Sequence, residues 1–229
     1  MKIGILGGTG PAGSGLAVRL AAHGHEVVIG SRSEERATEV VDRLRDTWSG
    51  RVDGLAAGDN PTAASAELVV IATPWDAAAP TTRSVADQLE GKVVLCMANA
   101  LTRIGHEFLA LMPPRGSVAA AVQAAAPSAH VVAALQHVPA KELGDLDHGV
   151  ESDVLVCSDH AEAKRTCMAL IAEMDHMRPL DAGDLTQAAT IEAFTAVLLQ
   201  LNVRYKTRAA VRFTGIDRDP MDFVPPSSR

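Results

Sequence analysis

Short apolar runs alternate with longer amphipathic ones from the first residues to about residue 208. Lys2–Leu6, Glu26–Gly30, Leu68–Thr73, Lys92–Met97, Val131–Gln136 and Asp153–Cys157 are apolar at successive positions, as strands buried on both faces must be. Between them, Gly15–His23, Glu34–Trp48, Asp76–Leu89, Ser117–Ala125 and Ala161–Met174 place apolar residues at i, i+3 and i+4, the spacing of one helical face. Parallel neighbours need crossover connections, and helices supply them. The pattern predicts an α/β fold with a doubly wound, mostly parallel sheet. Its character changes after Met177-Arg178-Pro179-Leu180-Asp181-Ala182-Gly183. Beyond lies one long helix over Thr186–Arg208, with apolar Ile191, Phe194, Val197, Leu198, Leu201 and Val203, then a strand-like Val211–Phe213. The tail Pro225–Arg229 has the composition of a disordered end. A boundary is expected near residue 182, with the turn at Pro139 as a second candidate. Residues 1–182 would form the sheet domain, and 183–229 a small C-terminal helical appendage closing the substrate cleft.

Charge and composition narrow the function classes. A net charge of −7 disfavours nucleic acid as a partner, because that affinity comes from neutralising phosphates. No apolar run approaches the roughly 20 residues of a membrane span. The first residues enter a strand with no signal peptide ahead of them, so a cytoplasmic protein is expected. The three cysteines lie in separate elements without a CxxC or Cys/His pair, which predicts buried, reduced thiols and no metal site.

The most informative segment is Gly7-Gly8-Thr9-Gly10-Pro11-Ala12-Gly13, at the end of the first strand and the start of a helix. Gly8-x-Gly10-x-x-Gly13 in that context is the dinucleotide-binding turn of a Rossmann-type sheet. Gly8 would permit the tight turn, Gly10 the approach of a pyrophosphate, and Gly13 close packing of helix on strand. Pro11 sits where a missing N–H costs little, and with Ala12 it leaves the helix N-terminus open to the phosphates. The second strand ends in Gly30-Ser31-Arg32, with Arg36 one turn further on. An acid here would accept hydrogen bonds from ribose hydroxyls and repel a 2′-phosphate. Its absence, with Ser31, Arg32 and Arg36 present, predicts NADP(H) over NAD(H). Thr9 would add a further hydroxyl. The competing reading has Ser31 or Ser33 capping the helix and the arginines merely solvated.

These segments resemble the NADPH-dependent reductases of the deazaflavin coenzyme F-420 (F420). The resemblance covers Gly7 to Leu20 and Gly24 to Arg32, then Thr73-Pro74-Trp75, Val138-Pro139-Ala140, Arg178 to Gly183 and Val211 to Gly215. It implies hydride transfer between NADP(H) and the deazaflavin, in a homodimer, with both cofactors at the C-terminal ends of the strands. Thr73, Pro74 and Trp75 would then face the nicotinamide together with Asn99, Ala100 and Leu101. Trp75 could equally be a core aromatic. His137, in the pair Gln136-His137, would hydrogen-bond the deazaflavin ring or else simply face water at a strand end. Ala140 would let a ring come close, and Ala209 would close the pocket. Cys96-Met97-Ala98-Asn99-Ala100-Leu101 departs from an Asn-Pro-Leu of some members by Ala in place of Pro.

Ring-to-ring hydride transfer needs stacking and water exclusion more than an acid or nucleophile, and no catalytic constellation is visible. Two alternatives stand beside it. One is an NADPH-dependent reductase of a small imine or carbonyl, for which His137 would be the proton donor. The other is an NADPH-sensing regulator. The remaining histidines are expected on polar, exposed surroundings, with His23 and His25 flanking Gly24 in a turn.

Overall fold

The computed structural model describes residues 1–216; the predicted tail Pro225–Arg229 lies outside them. The chain begins β1 (Lys2–Leu6), α1 (Pro11–Ala22), β2 (Glu26–Ser31), α2 (Glu34–Thr47), β3 (Leu55–Asp59) and α3 (Asn60–Ala64). It continues β4 (Leu68–Ile71), α4 (Trp75–Ser84), a 3-10 turn (Ala86–Leu89) and β5 (Val93–Cys96). A hairpin β6 (Leu101–Ile104) and β7 (Glu107–Ala110) follows, then α5 (Val118–Ala125), β8 (His130–Ala133) and α6 (Ala140–Leu143). Last come β9 (Ser152–Val156), α7 (Ala161–Ala172), β10 (Met177–Asp181), a second 3-10 turn (Leu185–Gln187) and α8 (Ala188–Tyr205).

Six strands form the parallel central sheet in the order β3-β2-β1-β4-β5-β8. Because the order reverses between β1 and β4, a crevice opens outside their carboxyl ends, where α/β sheets bind ligands. Side chains alternate between two cores. Ile3, Ile5, Val27, Ile29, Leu68, Val70 and Leu95 face one, with α1, α2 and α7. Leu6, Val28, Val69, Ile71, Val94 and Cys96 face the other, with α3, α4, α5 and α8. The doubly buried strands predicted from the sequence are therefore found as such.

Several elements were not visible in the pattern. The edge strand β3 is built on Leu55-Ala56-Ala57-Gly58-Asp59, too small and too exposed to read as a strand. Next to it, α3 is five residues long and held by Asp59, whose carboxylate accepts the Thr62 N–H. Its small side chains let it lie on β1 so closely that a Cβ on Gly4 would fall 1.8 Å from the Ala63 carbonyl oxygen. The expected strand Asp153–Cys157 is not part of the central sheet. It pairs in parallel with β10 and touches β8 through one antiparallel bridge, Ala133 to Cys157. Pro179 is accommodated because β10 is an edge strand. Val211–Phe213 forms no strand; the Val211 carbonyl and the Phe213 N–H go instead to Asp153. The expected helix over Asp76–Leu89 is divided into α4 and the 3-10 turn.

All three cysteines are buried and free, and burial pushes their thiols up to about 12. No helix among the described residues is long and apolar enough to cross a membrane.

Candidate functional site

The phosphate loop is built by close approach of backbones. Gly8 N–H donates to the carbonyls of Ile5 (3.2 Å) and Gly30 (3.1 Å), fixing the turn against β2. A Cβ on Gly8 would meet the Ile5 carbonyl at 2.9 Å, and one on Gly13 would meet the Gly8 Cα at 2.8 Å, so neither position admits a side chain. Gly10 has no such crowding, with 3.6 Å to its nearest neighbour, which leaves its open side free for a ligand. The Gly8-x-Gly10-x-x-Gly13 motif gives no role to the neighbouring Gly7. It takes the left-handed conformation (φ +76°), and Thr73 packs against it so tightly that a Cβ would lie 2.7 Å from the Thr73 methyl. Gly10 is the N-cap of α1 with no side-chain cap, and Pro11 follows it. The free N–H groups and helix dipole there form a ready anion site. Thr9 stands half-buried in this turn.

At the end of β2, Ser31 is buried and its hydroxyl accepts the Ser33 N–H at 3.3 Å. Ser33, not Ser31, caps α2: its hydroxyl accepts the Arg36 N–H and donates to Glu35. Arg32 and Arg36 are exposed, and neither guanidinium is in an ion pair among the described residues. Two unneutralised cations thus flank a strand end that carries no carboxylate.

Six of the predicted site residues meet in a single cleft of about 200 Å³: Ala12, Asn99, Leu101, His137, Ala140 and Ala209. Its far wall is α8, through Thr195, Leu198, Leu199 and Asn202. The sequence places a C-terminal helix at the cleft without naming these residues, although polar Thr195 and Asn202 seven residues apart on an apolar helix are a usable signal. Ala100 is not on the wall; it is buried in the core. Thr73, Pro74 and Trp75 also stand outside this cleft. Thr73 borders the glycine loop, and its hydroxyl is buried with no partner among the described residues. Pro74 is the exposed N-cap of α4, and half-buried Trp75 packs on the core.

The floor of the cleft is polar and incompletely bonded. Asn99 Nδ2 donates to the Gln136 carbonyl at 2.8 Å, and Gln136 Nε2 donates to the Cys96 carbonyl at 3.3 Å. His137 Nε2 accepts the Leu155 N–H at 3.2 Å, which places the proton of a neutral ring on Nδ1. His137 Nδ1 and Gln136 Oε1 are buried with no partner among the described residues, a donor and an acceptor side by side in sequence. Burial lowers the His137 pKa to about 4, so the ring is neutral at pH 7. Leu135, just before the pair, has φ +69°, a strained conformation of the kind that collects at functional sites. Elsewhere, His25 is not in an exposed turn as expected but buried, bonded to Glu173 at 2.7 Å. No group of side chains among the described residues could hold a metal.

The α8 wall is anchored by Glu192. This buried carboxylate accepts the N–H groups of Val118 (2.9 Å) and Ala119 (3.1 Å) at the start of α5. Burial outweighs those bonds and raises its pKa to about 7. A raised folded-state pKa contributes stability at pH values below the unfolded one, and that contribution is lost as pH rises through the folded one. Wild type should therefore lose stability between pH 4.5 and pH 7 relative to Glu192→Gln, by up to roughly 3 kcal/mol from the size of the shift. Urea unfolding of both proteins at pH 5 and pH 8 checks this; a difference independent of pH would refute it.

An open glycine loop at a strand-order reversal, leading into a second cleft beside it, defines a dinucleotide-dependent oxidoreductase. A family model described as "NADP oxidoreductase coenzyme F420-dependent" matches residues 2–100. The chain is 36% identical over 223 residues to the F420-dependent NADP reductase of Methanocaldococcus jannaschii, covering 95% of this chain and 100% of that one. It is 34% identical to the F420-dependent NADP reductase of Methanothermobacter thermautotrophicus, covering 94% and 96%. The protein belongs to the F420-dependent NADP reductase family. Among solved structures it superposes on a candidate F420-dependent NADP reductase from Arthrobacter sp. FB24 with a TM-score of 0.78 at 28% identity, covering 91% of this chain and 96% of that one. An imine reductase from Streptomyces aurantiacus, at 18% identity and a TM-score of 0.57 over 90% of this chain and 62% of that one, shares the fold alone.

Proposed function

We propose that this protein catalyses hydride transfer between NADP(H) and the deazaflavin coenzyme F420, in either direction. The observation that carries the reading is the position of Ala12, which belongs both to the first turn of the phosphate-loop helix and to the cleft of His137 and Ala140. A dinucleotide seated on the loop would thus end where a second ring is received. The two coenzymes supply the chemistry themselves, a hydride leaving a nicotinamide carbon for a deazaflavin ring carbon.

The chain's residues bind, orient and exclude water. Gly8, Thr9, Gly10, Pro11, Ala12 and Gly13 hold the pyrophosphate, and Ser31, Arg32 and Arg36 hold the 2′-phosphate. Thr73, Pro74 and Trp75 border the nicotinamide half, with the unpartnered Thr73 hydroxyl available to it. Asn99 and Leu101 line the second cleft, and Ala100 packs in the core behind them. His137 Nδ1–H and Gln136 Oε1 match an amide-like ring edge that offers one acceptor and one donor. Ala140 and Ala209 leave room for the ring. The cleft measures about 200 Å³. In this reading residues 1–182 are the cofactor platform and 183–229 the closing segment.

A homodimer fits the surface. Ile104, Leu109 and Met112 of the hairpin region and Val197, Leu201 and Tyr205 of α8 are exposed apolar side chains on elements that pack together. Sedimentation at the mass of one chain would remove this part. A cytoplasmic location is consistent with the three free thiols.

His137→Ala tests the mechanism. A ring neutral down to about pH 4 is a poor general acid at pH 7. The variant should therefore raise the KM for the deazaflavin with little change in kcat. A fall in kcat of about a thousandfold, within the range a general acid contributes, would favour reduction of an imine or carbonyl instead.

A further inference from the structure

We propose that Arg19 is a positioning residue that makes the nucleotide helix and the second-substrate wall one rigid unit. Arg19 lies on α1 two turns beyond Ala12 and is buried, with 2% of its surface exposed. An arginine so placed is ordinarily neutralised by a carboxylate. Here its N–H groups go to main-chain carbonyls instead. Nε donates to Leu143 O at 2.9 Å, and the two N–H groups of Nη2 reach Glu142 O at 2.8 Å, Asp145 O at 2.5 Å and His148 O at 3.0 Å, one of them shared between two carbonyls. Two of these carbonyls belong to α6, and the other two to the loop that follows it, so the guanidinium fixes the path from 142 to 148.

A second contact on the same helix does the same job independently. A Cβ on Gly15 would lie 2.9 Å from the Ala140 carbonyl oxygen and 3.1 Å from the Gly144 N. The backbone of 140–144 therefore rests directly on α1, one turn before Arg19. Ala140, at the start of this segment, faces Ala12 in the cleft. The helix that presents its N-terminus to the phosphates thus carries on its side the wall of the other site. The distance between the two reacting rings is set along a single strut. Misplacement by about 1 Å can cost 10²-fold in rate.

This inference rests on assigning the cleft to the deazaflavin ring. Arg19→Lys keeps the charge but replaces a five-donor fork with a single ammonium that cannot span four carbonyls. Gly15→Ala disturbs the same wall from the other contact, without touching Arg19, while favouring the helix intrinsically. For both variants we expect the Kd for NADPH to stay within about twofold of wild type. The KM for deazaflavin should rise and kcat fall, together on the order of 10² in kcat/KM. Independently of activity, amide hydrogen exchange should quicken over 140–148 with 2–12 unchanged, and equilibrium dialysis should show weaker binding of oxidised deazaflavin. Parallel loss of NADPH and deazaflavin binding in both variants would mean a general structural role and overturn the proposal. Unchanged deazaflavin kinetics in folded Arg19→Lys would overturn it as well. An active wild type is the reference in each case, so an inactive one would instead strike the assignment of the cleft.

Discussion

Replacing Arg32 and Arg36 together by alanine should weaken NADPH binding by about two orders of magnitude while leaving NADH binding nearly unchanged. A charge-assisted hydrogen bond contributes about 1.5–3 kcal/mol, and exposed charges are partly screened by water and salt, which places the pair near the lower end of the summed range. About 3 kcal/mol corresponds to a little over a hundredfold in Kd. NADH lacks the 2′-phosphate and has nothing to lose. Both arginines are exposed and unpaired among the described residues, so their removal should not disturb folding. Titration of each nucleotide by its fluorescence measures the effect. A double variant with an unchanged preference for NADPH would show that the 2′-phosphate is held elsewhere.

The second large effect is expected at Asp153. Its side chain is fully buried, and its two oxygens accept from Arg178 Nε (2.8 Å), Arg178 Nη2 (2.7 Å), Arg212 Nη1 (3.1 Å) and the Phe213 N–H (2.6 Å). Its own N–H donates to the Val211 carbonyl at 2.7 Å. This clamp fastens the stretch after α8 to β9 and so holds Ala209 at the cleft. Asp153→Ala removes the acceptor of all four side-chain bonds, and breaking a buried pair in this way costs about 3–5 kcal/mol. The pH dependence has a definite sign. Burial alone would raise the Asp153 pKa, but the bonds from Arg178, Phe213 and Arg212 prevail and hold it below the ordinary carboxylate value. A depressed pKa gives stability that is present above the unfolded value of about 3.9 and lost as pH falls through the folded one. The deficit of Asp153→Ala in urea unfolding should thus be large at pH 7 and smaller at pH 3. Equal deficits at both would mean that the charge contributes little.

The sheet and its main helices could be read from the sequence because their signals are local. Ile3, Ile5, Val27 and Ile29 announce doubly buried strands, and the glycine turn lies within one short stretch. Elements with weak local signals were lost. Ala56-Ala57-Gly58 gives β3 no bulk, the hairpin is exposed and turns on Gly105 at φ +61°, and β10 contains a proline. The cleft was half visible. Ala12, Asn99, His137 and Ala209 come from segments that only the crossovers bring together, so resemblance could mark them but spacing could not. Some roles are invisible in principle to a one-dimensional reading. Arg19 looks like an ordinary surface residue of an amphipathic helix until α6 is packed on it, and Glu192 looks like solvated charge until α5 arrives.

In the proposed reaction the hydride passes directly between two rings, and the protein acts by position and exclusion of water. Single-turnover reduction of oxidised deazaflavin by NADPH deuterated at the transferable position of the nicotinamide, in ordinary water, tests it most directly. One deuterium is expected at the reduced ring carbon of the deazaflavin, with a primary isotope effect on its bleaching. Protium from solvent at that carbon, or no bleaching at all under saturating NADPH, would contradict it.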